Sequence, residues 1–581
     1  MRAQILTALL TALLAIAAPA VADPAPPAPD LTGLWMARQR FGPDIRGELT
    51  IVHDARGWRA DLAGRAAAVT VTGDVVTFGL GDDGDFRGHL TRAGIRGQWR
   101  QVKGYSTGTR YATPVVLTGA GGVWRGQVRP LDETVTLYLP VAPGANGVWN
   151  TFLRNPERNV GRYVDIDHLK LDGGTVTLLG HRHGKPEDTV VAEGTYNPDE
   201  DGFVLHIPAL GGTYDFRRDG AHSGFYPRDE KTALYVYHPP LKTGDGWAVG
   251  TLKEVGLSEK TIGDFMQMLI DMPMDSVHAQ DVHAVLVARH GKLVLEEYLH
   301  GHSAETLHDT RSASKSMLSV LIGAEKQAGA KVDVDAPVYK VMNGGVFPPG
   351  LEPKKQAMRL EDLLTMSSGF YCDDDDDKAP GNEDTMQDQT KQPDWYRYAL
   401  DLPMAMAPGT QSIYCSTNPN LAGGVLAKMT GEPLEEAFDR LIARPMSFGP
   451  YALNLQPTGQ PYMGGGAYFQ PRDFMKLGQM MLDDGVWNGQ RIVSHDWVAR
   501  STAPLKDLRG LKYGYFWWGM DFPYRGGTVH GFFAAGNGGQ VVMVVPKLDL
   551  VVAFYGGNYG DKVLYVPQQV YTPKYILPAV E

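Results

Sequence analysis

The periodicity of this chain changes once, near residue 240, and no single fold class accommodates both halves. Through residues 31–237, apolar and polar residues alternate in short runs, among them 47–53, 68–72, 75–78, 134–139 and 175–179. Gly, Asp and Asn separate the runs, as in antiparallel strands joined by turns. Beyond residue 260 the runs lengthen to helical periods, with strand-like segments left only at the two ends. The 581 residues also exceed what one hydrophobic core supports, so two or three domains are expected.

The boundaries follow from these patterns. Residues 1–22 read as a secretory signal: Arg2 is followed by an apolar stretch over 5–18 and by the small-x-small site Ala20-Val21-Ala22. The stretch is too short for a stable membrane anchor. Residues 23–30 are Pro-rich and expected to be extended or disordered, and residues 23–245 are expected to form a β-rich accessory domain, a barrel or a sandwich. Within it a Gly-x-Trp motif ends at Trp35, Trp99, Trp124 and Trp149, which suggests two β modules. No group of residues there carries an evident chemistry; the domain would support or restrict its neighbour. Residues 238–260 read as a linker ending near a helix N-cap at Ser258. Residues 260–575 form the second domain, an α/β unit. Its expected elements are a helix over 261–272, a hairpin over 284–298 turning at His290-Gly291-Lys292, and a long helix over 312–328. Further helices fall at 360–365, 420–429, 433–441, 471–482 and 494–500, and two adjacent strands close the chain at 540–545 and 550–554.

Composition removes several function classes. The formal net charge is -11 and no basic cluster occurs, which argues against nucleic acid or anionic membrane as a partner. The two cysteines, Cys372 and Cys415, form one disulfide or none; export favours the bond, which would close a loop of roughly 40 residues, worth on the order of 3–4 kcal/mol. Residues 373–377 are five consecutive aspartates, read as a solvated loop in preference to a cation site. His278, His283, His300, His302 and His308 are dense but match no zinc spacing, and they are expected at the surface. No metal and no cofactor is expected.

The chemical signal is Arg311-Ser312-Ala313-Ser314-Lys315-Ser316 at the mouth of the apolar helix. Ser312 falls near the helix N-terminus, where unpaired backbone N–H groups favour developing negative charge. Lys315, three residues on, lies on the same helical face and can accept the serine proton.

In order along the chain, further segments match one family. They are the hairpin and Ser312 helix over 284–323, residues 363–369 (LLTMSSG), Pro408-Gly409 followed by Tyr414, residues 465–473 and 485–494, residues 513–518, and residues 536–540 (GNGGQ). Over about 260–575 the chain resembles the serine β-lactamase and penicillin-binding-protein family, which includes class C β-lactamases, DD-peptidases and related esterases and amidases. The cysteine pair and residues 536–540 resemble its esterase and 6-aminohexanoate-oligomer hydrolase branch.

The resemblance implies an antiparallel sheet flanked by helices and an acyl-serine mechanism without cofactors. Ser312 would be the nucleophile, Lys315 the base and Tyr414 a proton shuttle. The family's Asn two residues after the Tyr is absent, so Ser416 or Asn418 would take its polar role. The family's Lys-Thr-Gly or His-x-Gly strand motif has its nearest counterpart in Val529-His530-Gly531. His530 would help to bind substrate, and a backbone N–H from Ala534 or Ala535 would share the oxyanion with that of Ser312. The implied activity is hydrolysis of a small ester, amide or peptide by a periplasmic or secreted enzyme. Alternatives are a DD-peptidase or β-lactamase acting on cell-wall peptides or penicillins, and a silent ligand-binding or scaffold protein of the same fold.

Overall fold

The computed structural model describes residues 29–104, 108–145, 147–181, 189–228, 234–389 and 391–581, so the expected signal segment lies outside the described residues. Strand Gly33–Gly42 pairs antiparallel with Glu133–Pro143, and six further strands, from Val148–Asn150 to Gly212–Arg218, lead back to it through Trp35 and Arg218. The result is a closed eight-stranded barrel, which leaves no edge strand unpaired. Strand alternation sends Trp35, Leu137, Leu139, Leu178, Phe203 and Phe216 into its core. At Gly194 a Cβ would stand 1.5 Å from the Val204 carbonyl oxygen, so only glycine allows that strand contact.

A second β module is inserted between the first two paired strands of the barrel. Its nine strands run from Gly47–Asp54 to Val123–Val128 around Leu49, Ile51, Phe86, Ile95 and Trp99. Trp35 and Trp99 therefore centre two separate cores, nested in sequence.

The all-β N-terminal region and the α/β domain after it agree with the expected fold class. In the α/β domain the hairpin Val282–Arg289 and Lys292–Tyr298 joins the C-terminal strands Leu550–Gly556 and Gln540–Val545 in one nine-stranded sheet. Both faces are covered. Leu286, Val542, Val544 and Ala553 face helices Lys315–Gln327 and Pro471–Leu482. Val285, Val541, Met543 and Phe554 face helix Glu259–Ile270, whose N-cap Ser258 accepts the N–H of Thr261. Burial on both faces is why these strands read as continuous apolar runs instead of alternating ones. The segment read as a linker is anchored: Trp247 is buried and packs edge-on against Trp487. Among the described residues, no helix is long and apolar enough to cross a membrane.

The two regions share hydrogen bonds. Strand Arg110–Ala120 of the N-terminal module pairs with Tyr451–Leu455, this with Tyr468–Phe469, and this in turn with His308–Asp309, just ahead of Ser312. Ion pairs reinforce the junction. Arg100 donates to Glu435 at 2.8 Å, and Arg87 to Glu436 at 2.8 Å. Glu435 is fully buried, and burial raises its pKa. Replacing Arg100 by Met leaves that carboxylate without its cation, and a loss of about 3 kcal/mol in urea unfolding at pH 7 is expected. The deficit should shrink as the pH falls, because protonated Glu435 needs no partner.

Candidate active site

The site forms where strand Gly527–Gly536 meets the start of helix Lys315–Gln327. Residues Arg311–Ser314 make one tight 3-10 turn leading into that helix. Arg311 holds a left-handed backbone (φ 46°), and its N–H donates to Asp309 Oδ1 at 2.9 Å. Such strain persists where the surroundings over-determine it, as at functional sites. Gly536 closes the corner: a Cβ there would lie 2.2 Å from the Thr310 carbonyl oxygen and 3.1 Å from the Ser312 nitrogen.

Lys315 is 2% exposed, and its Nζ donates to Ser312 Oγ at 2.7 Å and to the Gly464 carbonyl oxygen. Lys315 Nζ also stands 4.9 Å from the centre of the Tyr414 ring. The guanidinium of Arg509 lies 4.3 Å from the same ring, and Trp518 stacks beside it at 5.9 Å. Ser312, Tyr414, Arg509, Trp518 and Ala535 all line a cavity of about 670 Å³. That volume is in the range of small-molecule sites.

Three of its wall residues, Thr109, Tyr111 and Arg158, come from the N-terminal region in which the sequence shows no chemistry. Arg158 reaches Asp309 at 3.4 Å and donates to the Tyr468 hydroxyl at 3.0 Å. These residues are invisible to local pattern because strand pairing between distant segments brings them in.

The aspartate run contributes as well. Cys372 and Cys415 are bonded, with Cα atoms 5.7 Å apart, which sets the run against residues 414–416. Asp374 turns inward as part of the cavity wall, so the expectation of a fully solvated loop fails at this residue. Its Oδ2 accepts from the Ser416 hydroxyl at 2.6 Å and the Ser416 N–H at 2.8 Å. Burial, helped by repulsion from Glu383, pushes its pKa up to about 6, against the pull of Lys315. Glu383 accepts from the Tyr462 hydroxyl at 2.7 Å. The cysteine pairing is the sequence signal that could have flagged Asp374.

Between the ordinary value of 3.8 and about 6, the folded protein therefore binds more protons at Asp374 than the unfolded chain does. This group makes stability fall as the pH rises from about 4 to about 6 and has no further effect above that window. Asp374→Asn should flatten that slope, by on the order of 3 kcal/mol across the window, in urea unfolding at successive pH values.

Several expected site residues lie elsewhere. His530 sits six residues before Gly536, roughly 20 Å along an extended strand. Its Nδ1 is 2.8 Å from Asp521 Oδ1 across the strand pair, and its side chain is 47% exposed. Gly531 is buried in the sheet, where a Cβ would meet Phe522 and the Val544 carbonyl oxygen. Ala534 is likewise buried in the core. Asn418 is buried in helix Thr417–Thr430, with its amide nitrogen 3.8 Å from Met366 Sδ. None of these four lines the cavity, while Ser416 adjoins it through Asp374.

The histidines need the largest correction. His278 is on the surface, but His283, His300 and His308 are buried and His302 is half-buried. The hairpin strand ends at Tyr298 and the chain folds back over it, so the imidazoles pack on one another. The His283 and His302 rings stack at 3.8 Å, and His308 lies 5.0 Å from His302 and 5.1 Å from Tyr555. Burial and repulsion from His283 hold His302 and His308 well below the usual imidazole range, and burial lowers His300 to about 4.

Residues 274–556, which span the sheet-and-helix unit that carries this site, match the Beta-lactamase family model. Over 229 residues the chain is 27% identical to the 6-aminohexanoate-dimer hydrolase of Paenarthrobacter ureafaciens. The match covers 38% of this chain and 57% of that enzyme, so the chain spans just over half the length of this curated relative. Among solved structures it is similar to a family VIII carboxylesterase, at 15% identity and TM-score 0.42, covering 58% of this chain and 98% of that one. It is also similar to a penicillin-binding protein homologue from Caulobacter crescentus, at 13% identity and TM-score 0.40, covering 51% and 90%.

Proposed function

We propose that the protein is an exported serine hydrolase that cleaves a small amide or ester through an acyl-serine intermediate. The observation that carries this reading is the 2.7 Å hydrogen bond from buried Lys315 Nζ to Ser312 Oγ at the wall of the cavity. In the reacting state Lys315 is the neutral amine: Ser312 Oγ attacks the substrate carbonyl while its proton passes to the Nζ lone pair, leaving an ammonium. The backbone N–H groups of Ser312 and Ala535 hold the oxyanion, where loss of one donor typically costs about 10²–10³ in rate. The phenol of Tyr414, next to the Lys315 ammonium, relays a proton to the leaving group. Water then releases the acyl group.

The cavity walls carry both signs of charge. Arg158, Arg311 and Arg509 stand among Asp374, Glu383 and Asp384. A wall of this kind suits a short linear amide with an amine at one end and a carboxylate at the other. The name of the curated relative, a 6-aminohexanoate-dimer hydrolase, describes a substrate of that form. Export is supported by the signal-like residues 1–22 and by the Cys372–Cys415 bond.

The test is a substrate panel of a linear ω-amino acid dimer, p-nitrophenyl esters and a chromogenic cephalosporin. The reading expects turnover of the dimer or the esters well above that of the cephalosporin. Failure on all but the cephalosporin would reassign the protein as a β-lactamase.

A further inference from the structure

The buried histidine cluster has no part in the chemistry above, yet it is built like a binding site. His283 comes from strand Val282–Arg289, His302 from the loop that follows the hairpin, and His308 from the strand that leads to Ser312. One nitrogen from each imidazole lies within 4.8 Å of the other two. Fully buried polar atoms ordinarily find hydrogen-bond partners. Here His308 Nε2 is buried and makes no hydrogen bond.

We propose that His283, His302 and His308 bind a divalent transition-metal ion of the zinc type. Imidazole nitrogen is a preferred ligand for such ions, and burial favours the neutral form that ligates. Around a tetrahedral ion, donor atoms stand about 3.4 Å apart, which small ring rotations can reach from the present spacing. His302 is half-buried, the most accessible of the three.

The surroundings resemble an outer shell. Asp281 Oδ1 lies 3.2 Å from His283 Nε2 and 3.5 Å from His300 Nε2, and its other oxygen pairs with Arg154 of the barrel at 3.1 Å. A carboxylate beside the ligating imidazoles orients them and raises their basicity. The ion would then tie the central sheet to the segment that carries Ser312, next to the contact with the barrel.

The test uses the full chain stripped with a chelator and titrated with Co²⁺, then with competing Zn²⁺. The expected result is one ion per chain, visible d–d absorption that Zn²⁺ displaces, and a rise in melting temperature with Zn²⁺. His302→Ala removes the half-buried ligand without emptying the core, and it should weaken Zn²⁺ binding by about 100-fold or more while keeping the wild-type circular dichroism spectrum. His308→Gln serves as a second variant. Absent Co²⁺ absorption with substoichiometric metal overturns the proposal. So does wild-type affinity in both variants, since the ion would then sit elsewhere.

Discussion

Ser312→Ala is expected to lower kcat/KM for every amide or ester substrate by at least about 10⁴-fold, because in the proposed mechanism the acyl intermediate has no other oxygen to form on. Neighbouring hydroxyls cannot take over. Ser314 Oγ donates to the Arg311 carbonyl oxygen at 2.8 Å, and Ser316 Oγ donates to that of Phe516 at 2.6 Å, both away from the cavity. The substitution removes one acceptor from Lys315 Nζ, which keeps the Gly464 carbonyl oxygen. The expected stability change is small, about 1–2 kcal/mol. Steady-state kinetics and thermal melting of the same preparation separate the two effects.

Lys315→Met has the second large effect, a fall of about 10³-fold in kcat. Methionine is a good helix former and fills most of the volume of the lysine stem, so the helix should stay intact. Ser312 remains in place but has no base within 2.7 Å to take its proton. A merely structural lysine would behave differently: its loss would lower the melting temperature and leave kcat close to wild type. Stopped-flow acylation with a p-nitrophenyl ester distinguishes these cases, since only loss of the base slows the first burst.

Much of the architecture was legible because it rests on local periodicity. Short alternating runs marked the N-terminal strands, and helix Pro471–Leu482 occupies the expected residues 471–482. The nesting of one β module inside the barrel was not legible, because strand order depends on pairing between segments about a hundred residues apart. The same division holds at the site. Ser312 and Lys315 are three residues apart at a helix start, and Tyr414 follows a Pro-Gly turn, so local spacing and the order of motifs picked out all three. Arg158 and Tyr111 reach that cavity only through the junction between the two regions.

Two expectations failed for physical reasons. His530 was placed by the glycine after it, but a strand advances over 3 Å with each residue, and six residues carry the side chain off the site. The histidines were judged by linear spacing, whereas their proximity comes from a chain reversal after Tyr298 that no short window contains.

The most direct test of the central claim is intact-mass analysis of wild type and Ser312→Ala after incubation with a fluorophosphonate, followed by peptide mapping. The account predicts a single adduct on wild type, located at Ser312, and none on the variant. An adduct on another residue, equal labelling of both proteins, or no labelling of a preparation that hydrolyses esters would contradict it.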